Sequence, residues 1–222
     1  MNTAIIIPAF NEKATIAAVV AGVAGYGLPI VVDDASTDGT GTLAGEAGAE
    51  VVINATNRGY DGALQMGFEK ADALGVEIAV TFDADGQHGS DVLERMLAPL
   101  RGRGADLVIG VRPTAARPAE RLFNAYARWR FGVPDILCGV KAYRMSLYRA
   151  HGRFDGSHSL GTELALSALR GGARFELQTV PIAPRDGTPR VGRALSANAK
   201  VLSALWGAVK ADLGQRSGEL YT

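Results

Sequence analysis

The sequence predicts a single α/β domain built on a mostly parallel sheet, and three observations carry that reading. Short, continuous, β-branched runs recur through the first 110 residues, a pattern of strands buried on both faces rather than strands with one wet face. Helix-period stretches separate them, joined by short connections rich in turn residues, as βα units require. The length of 222 residues, 47% of them hydrophobic and 21% charged, supports one sizeable core, and no linker-like tract divides it.

Strands are expected at residues 4–8 (AIIIP), 29–33 (PIVVD), 50–54 (EVVIN), 77–82 (EIAVTF) and 106–110 (DLVIG), with helices at 13–25, 40–47, 60–74 and 90–100 between them. Ser36, Asp38 and Gly39 make a turn that hands over to Thr40 as a helix cap, and Ser90 or Asp91 caps the helix after the fourth strand. Beyond Arg112 the pattern changes. An Arg-rich stretch over 112–130 begins as a loop and runs into a helix at 119–131. KAYRM (141–145) and ARFELQTVPI (173–182) read as strands, the second with the partial alternation of an edge or mixed-sheet strand. Helices follow at 160–169 and 195–213, and PIAPRDGTPRVGR (181–193) reads as a mobile loop. In the last helix, Leu195, Ala199, Leu202, Leu205, Trp206 and Val209 form a stripe whose first reading is packing on the domain. Attachment to a membrane surface is the alternative, helped by Arg193, Lys200, Lys210 and Trp206.

A formal net charge of zero conceals an asymmetry. Residues 1–100 carry 4 Lys/Arg against 14 Asp/Glu, whereas residues 101–222 carry 19 against 9. Either two faces of one domain neutralise each other, or the basic half faces an anion. Phe123, Tyr126, Trp129 and Phe131 interleave with arginines, but overall neutrality weighs against nucleic acid. The single Cys138 excludes an intramolecular disulfide and fits a reducing compartment. MNTAIIIPAFNE lacks a basic start and Pro8 cuts its apolar run, so it does not read as a signal peptide. No run approaches the roughly 18 apolar residues of a membrane span. The expectation is a cytoplasmic protein, with peripheral contact at the inner face of the membrane left open.

Ligands of an open parallel sheet bind beyond the carboxyl ends of its strands. The segments found there are PAFNE (8–12), DDASTDGT (33–40), NATNRGYDGA (54–63) and DADGQH (83–88). They bring Glu12, Asp33, Asp34, Asp83 and Asp85 to one rim, where carboxylates repel unless cations or ligand donors occupy the space. Asp34 has no part in the turn and can accept the N–H donors of a nucleobase. NRGYDGA reads either as a plain strand-to-helix turn with Gly59 at positive φ or as a source of amide donors for a phosphate. Neither GxGxxG nor GxxxxGK[ST] is present, which counts against a dinucleotide fold and a P-loop. Asp83-Ala84-Asp85 offers two hard oxygen ligands to Mg²⁺ or Mn²⁺, an ion that keeps waters and shares substrate phosphates. His88 reads either as a further ligand or as a loop neighbour.

Taken in order, IIIPAFNE, VVDDASTDGT, NRGYDGALQMGFEKA and DADGQH resemble the family 2 glycosyltransferases of GT-A fold, closest to the polyprenyl-phosphate (dolichyl-phosphate) mannosyltransferase branch. Weaker matches follow in VIGVRP and DILCGVKAYR. The resemblance implies a GT-A domain whose residues 1–112 bind the nucleotide sugar and whose residues 113–222 form an acceptor side ending in a helix. It implies nucleotide-binding roles for Pro8, Phe10, Glu12, Asp33, Asp34, Asp83 and Arg185, and a metal–diphosphate site at Asp83, Asp85 and Gln87 with Mg²⁺ or Mn²⁺. It implies a catalytic set of Asp85, Glu163, Arg112 and Arg121, and a sugar or acceptor pocket at Asp135 and Gly139.

The implied reaction is inverting transfer of a hexosyl group, mannosyl first, from GDP-mannose or a UDP-hexose to polyprenyl phosphate. Transfer to a hydroxyl of a glycan or small molecule is the alternative and would need Glu163 or Asp135 as general base. A nucleotidyltransferase would want a Gly-rich, basic first loop where this chain has PAFNEK, and a non-catalytic nucleotide-sugar-binding subunit is a distant alternative. Two departures fall where an acceptor phosphate would bind: Ala125 stands where the branch has Ser, and RDGTPRVGRA stands where it has GxSK.

Overall fold

The computed structural model describes residues 2–113, 117–181 and 194–219. Seven strands form one sheet: β1 (Thr3–Ala9), β2 (Leu28–Asp33), β3 (Glu50–Ile53), β4 (Ile78–Thr81), β5 (Leu107–Val111), β6 (Lys141–Arg144) and β7 (Phe175–Thr179). Their order is β3-β2-β1-β4-β6-β5-β7. β1 pairs in parallel with β2 and β4, as β2 does with β3 and β5 with β7, while β6 runs antiparallel between β4 and β5. Ile5, Ile6 and Ile7 of the central β1 are all fully buried, so consecutive side chains enter cores on opposite faces, as the unbroken apolar run demands. β7 lies at the sheet edge, in keeping with its partial alternation.

The helices are α1 (Ile16–Val23), α2 (Thr40–Glu46), α3 (Gly59–Ala73), α4 (Val92–Arg101), α5 (Pro118–Phe131), α6 (Met145–His151), α7 (Glu163–Arg170) and α8 (Ala194–Glu219). One core gathers α3, α5, α7 and α8 around Phe68, Phe123, Tyr143 and Phe154; the other gathers α1 and α4 around Ile7, Val20, Phe82 and Met96. Gly67 lets α3 close on the sheet: a Cβ there would sit 2.3 Å from Ile6 Cγ2.

Three expectations need correction. The strand expected over 141–145 ends at Arg144, whose extended backbone is the N-cap of α6, a helix not expected from the sequence. α7 begins at Glu163 rather than Leu160, since Leu160 and Gly161 hold φ of 59° and 70°, which a right-handed helix cannot contain. In α8 the expected stripe divides: Leu202 and Trp206 face outward, Leu205 is partly buried against the core, and Val201, Ala204 and Ala208 pack inward beside it. Asp212 sets that rotation, accepting from Tyr126 Oη (2.6 Å), Arg130 Nε (3.0 Å) and Arg170 Nε (2.5 Å). Most of the 181–193 loop, with Arg185 and Arg193, lies outside the described residues.

Candidate active site

β1, β2 and β4 are parallel neighbours, so the loops after them and after β3 open on one rim. There they line a cavity of about 340 Å³ with Pro8, Phe10, Glu12, Asp34, Asp83 and Asp85 in its wall. The first two loops are latched together: Asn11 N donates to Ser36 Oγ (2.9 Å), Glu12 N to Thr40 Oγ1 (2.9 Å) and Lys13 N to Asp38 Oδ2 (3.1 Å). Asp34 is almost fully buried and already busy. Its Oδ1 accepts from Asn54 Nδ2 and Arg58 N, both at 2.8 Å, and its Oδ2 from Gly59 N at 2.8 Å. A carboxylate has about four acceptor positions, so one remains on Oδ2 for a ligand donor. Gly59, at φ 75°, turns its amide toward that carboxylate. Asp33 is directed elsewhere: its Oδ1 accepts from Ser36 N (2.9 Å), its Oδ2 lies against Gly41, and it does not line the cavity.

The loop after β4 is pinned by Thr15 Oγ1, which donates to Ala84 O at 2.7 Å. Asp85 Oδ1 accepts from Gln87 N (3.0 Å), and Tyr60 Oη donates to Asp83 Oδ1 (3.4 Å). The low-dielectric surroundings of that hydroxyl, with the Asp83 charge beside it, raise Tyr60 well above an ordinary phenol, so it keeps its proton. His88 Nε2 stands 3.6 Å from Asp83 Oδ2 and Nδ1 lies 3.3 Å from Pro181 O. Burial works against its imidazolium, and Asp83 with Asp85 outweighs burial and raises it. His88 therefore sits between Asp83 and the start of the late loop.

The first cavity has Glu12, Asp34, Asp83 and Asp85 in its lining and, among the described residues, no Lys or Arg. Such a wall repels a nucleoside diphosphate unless a cation or hydrogen-bond donors accompany it. Asp83 and Asp85 supply hard oxygen donors, and among the described residues no three His, Cys, Asp or Glu groups form a protein-only cage. That donor set fits Mg²⁺ or Mn²⁺, which retains waters and takes further ligands from phosphate. Gln87 is not in the cavity lining.

A second cavity, of about 310 Å³, adjoins the first and shares Asp83 and Tyr60 with it. Its wall carries three cations, Arg112, Arg117 and Lys200, against two carboxylates, Asp83 and Glu120, beside Gly139 and Leu160. Glu120 lies 3.5 Å from Arg112 Nη2 and 3.9 Å from Arg117 Nε. Arg112 is held as a fork by buried Asp135, with Nε–Oδ2 at 2.7 Å and Nη2–Oδ1 at 2.9 Å, and Asn124 Nδ2 adds a bond to Oδ1 at 3.1 Å. Burial alone would raise Asp135, but Arg112 prevails and holds it below the ordinary carboxylate value; the same pairing raises Arg112. Asp135 is thus an ionised, saturated partner that orients Arg112. Gly139 leaves room for Asp83: a Cβ there would stand 2.5 Å from Oδ2 and 2.9 Å from Oδ1.

Two residues of the expected set lie apart. Arg121 is on the exposed side of α5, in a separate surface hollow with Ala125 and Trp129. Glu163 lines a cavity between α7 and α8 with His151, Ser167 and Ala208. There it accepts from Arg153 Nε (2.6 Å), Gly156 N (2.9 Å) and Ser157 Oγ (2.7 Å), with His151 Nε2 at 3.2 Å. Burial opposes the charge, and these donors overcome it and hold the carboxyl at about 2. Tyr60, Arg117 and Lys200 are site residues that the sequence reading did not assign. Tyr60 stood in the quoted NRGYDGA loop, whereas the two cations had only the basic excess of the second half as a signal.

The glycosyl transferase family 2 profile matches residues 4–152. An uncharacterised protein of Methanocaldococcus jannaschii is 38% identical over 197 residues, covering 80% of this chain and 79% of that protein. The polyprenol monophosphomannose synthase of Mycolicibacterium smegmatis is 34% identical over 165 residues, 64% of this chain and 62% of that enzyme. The undecaprenyl-phosphate mannosyltransferase of Micrococcus luteus is 37% identical over 138 residues, 54% of this chain and 56% of that enzyme. The chain thus spans less than two thirds of the length of these two named enzymes. Glucosyl-3-phosphoglycerate synthase from Mycobacterium tuberculosis, solved with Mn²⁺ and UDP-glucose, has the same fold, with a TM-score of 0.75 at 23% identity over 93% of this chain and 78% of that one.

Proposed function

Because the chain belongs to glycosyl transferase family 2, and is thereby a glycosyltransferase, we propose that it moves a hexosyl group, mannosyl first, from a nucleotide sugar to polyprenyl phosphate with inversion. One observation carries the proposal: a cavity whose charged lining residues are all acidic and a cavity with three cations against two carboxylates meet at Asp83 and Tyr60. The acidic side suits a donor that arrives with a divalent ion, and the cationic side suits an acceptor that is itself an anion.

Pro8, Phe10, Glu12 and the remaining acceptor position of Asp34 frame the nucleoside. Asp83 and Asp85, with Gln87 nearby, would hold Mg²⁺ or Mn²⁺, which offsets the negative charge growing on the departing diphosphate. Arg112, fixed by Asp135, presents its guanidinium to phosphate with little reorganisation at the moment of transfer. Arg117 and Lys200 add charge on the same wall. An anionic phosphate oxygen attacks without a general base, which agrees with Asp135 and Glu163 both being saturated by donors. Arg185 keeps the role its resemblance implies, in closing over the donor, and the halves 1–112 and 113–222 divide as donor and acceptor sides of one domain.

Leu202, Trp206 and Leu213 on α8 and Leu122 and Trp129 on α5 are exposed, and Lys210 Nζ lies 5.4 Å from the Trp206 ring centroid. Among the described residues no helix is long and apolar enough to cross a membrane. That surface suits peripheral contact with the bilayer that holds a polyprenyl chain. A second reading, a UDP-hexose donor with a smaller phosphate-bearing acceptor, is favoured by the fold neighbour solved with UDP-glucose and phosphoglyceric acid.

The test measures turnover of GDP-mannose and UDP-glucose with farnesyl phosphate as a short acceptor, with Mn²⁺ or EDTA, in wild type and Asp85→Ala. Loss of about 100-fold or more in EDTA and in the variant is expected. Full activity in either overturns the metal reading, and transfer only to hydroxyl acceptors overturns the phosphate acceptor.

A further inference from the structure

A buried lysine joins two walls of the second cavity. Lys141, in β6, is 2% exposed, a rare position for a lysine. Among the described residues no carboxylate pairs with it; Nζ donates to Cys138 O (2.6 Å) and Gly161 O (3.3 Å). Burying an ammonium costs several kcal/mol even after relaxation, and an apolar chain of similar length would fill the space without that cost. Burial lowers the pKa of the Lys141 amine, and two neutral carbonyls are all that it gains locally, so its use has to be sought in what those carbonyls belong to.

Both belong to the active-site walls. Cys138 precedes Gly139, which lies against the Asp83 carboxylate, and Thr81 Oγ1 at the end of β4 holds this strap through Gly139 O at 2.6 Å. Gly161 follows Leu160, which lines the second cavity, and a Cβ at 161 would stand 3.1 Å from Tyr60 Cε1. The Leu160 wall is strained: His158 and Leu160 have φ of 54° and 59°, left-handed conformations that cost about 1–3 kcal/mol each outside glycine. On its other flank Asp61 Oδ2 accepts from Leu160 N at 3.2 Å.

We propose that Lys141 is a positioning residue that bridges the Cys138–Gly139 strap and the Leu160–Gly161 wall, and so sets the width of the cavity that takes the acceptor. The assignment of that cavity to the acceptor rests on the function proposed above; the bridge itself does not. Removing the ammonium frees the strained wall from the strap beside Asp83, so acceptor binding suffers while the nucleotide side, built on β1, β2 and β3, keeps its latches.

The experiment compares wild type, Lys141→Met, which keeps the stem and loses the donors, and Tyr143→Phe. Tyr143 is buried on the same strand and, among the described residues, its hydroxyl has no hydrogen-bond partner, so it reports a core change without the bridge. In Lys141→Met, amide hydrogen exchange over residues 137–140 and 158–162 should quicken about tenfold, and the KM for farnesyl phosphate should rise about tenfold, the worth of a hydrogen bond to a charged group. The KM for the nucleotide sugar should stay within about twofold, and Tyr143→Phe should match wild type in all three. Unchanged exchange at both segments, or equal rises in the two KM values, overturns the bridge. If Lys141→Met does not fold, Lys141→Arg replaces it, its longer fork altering the spacing; a wild-type KM for farnesyl phosphate in that variant overturns the proposal. Wild type that ignores farnesyl phosphate removes the acceptor assignment, and the exchange data still decide the bridge.

Discussion

Gly139→Ala places a methyl group against the one carboxylate that both cavities share. The added Cβ would sit 2.5 Å from Asp83 Oδ2 and 3.0 Å from Cγ, whereas ordinary contact begins near 3.4 Å. Asp83 must therefore move by about 0.9 Å, and a displacement of that size at a reacting centre costs on the order of 100-fold in rate. Stability should change little. Asp83 is partly exposed and can swing toward open space, and Gly139 does not have a positive φ, so alanine suits its backbone. Because Asp83 can swing aside, the overpacking cost lies at the low end of about 1–3 kcal/mol, and a stiffer unfolded chain returns roughly 0.4–1 kcal/mol of it. The assay pairs a urea titration with kcat/KM for the nucleotide sugar at saturating Mn²⁺. The expected result is a midpoint near wild type with kcat/KM down about 100-fold. A variant within threefold of wild type in kcat/KM would refute the reasoning, because Asp83 would then tolerate displacement.

Two further outcomes follow from the ion pairs. Asp135→Asn leaves the Arg112 fork facing an amide, so stability should fall by about 3 kcal/mol in urea titrations, and the acceptor KM should rise more than the donor KM. Glu163→Gln should lower stability by about 1–3 kcal/mol while leaving both KM values unchanged, since its partners are Arg153, Ser157 and Gly156. In wild type the folded Glu163 carboxyl, near 2, lies below its ordinary 4.5, so its stabilisation is complete above 4.5 and is lost as pH falls through about 2. Thermal scans over that window should show the gap between wild type and Glu163→Gln closing toward the acid end.

The parallel half was legible because each strand is an unbroken apolar run that stops on a polar turn, and the rim follows from topology alone. The acidic cavity was legible for the same reason: Glu12, Asp34, Asp83 and Asp85 each follow a strand. Asp33 shows where adjacency misleads. It neighbours Asp34 in sequence, yet β-strand alternation sends the two side chains to opposite sides, and only Asp34 faces the cavity. Arg121 likewise lies apart from both cavities, since the helix phase that buries Asn124 and Ala127 turns it outward. The outward turn of Leu202 and Trp206 in α8 was not legible because the helix's rotation is fixed by Asp212 meeting Arg130 and Arg170 from elsewhere in the chain. No local pattern announces a contact such as Gly139 with Asp83 across 56 residues of sequence, although the glycine itself stood in a quoted motif.

The antiparallel β6 has a consequence for how such enzymes diversify. A parallel strand at that place would bring its start to the far side of the sheet; reversed, β6 begins at the active rim, so the excursion from Arg112 to Gly139 leaves and returns at the same edge. It behaves as a cassette with both ends clamped beside the nucleotide frame. Replacing it would exchange Arg112, Arg117 and their support while β1 to β4 keep their register and α8 keeps Lys200, so most of the wall proposed to face the acceptor can be refitted by changing a single contiguous stretch of gene.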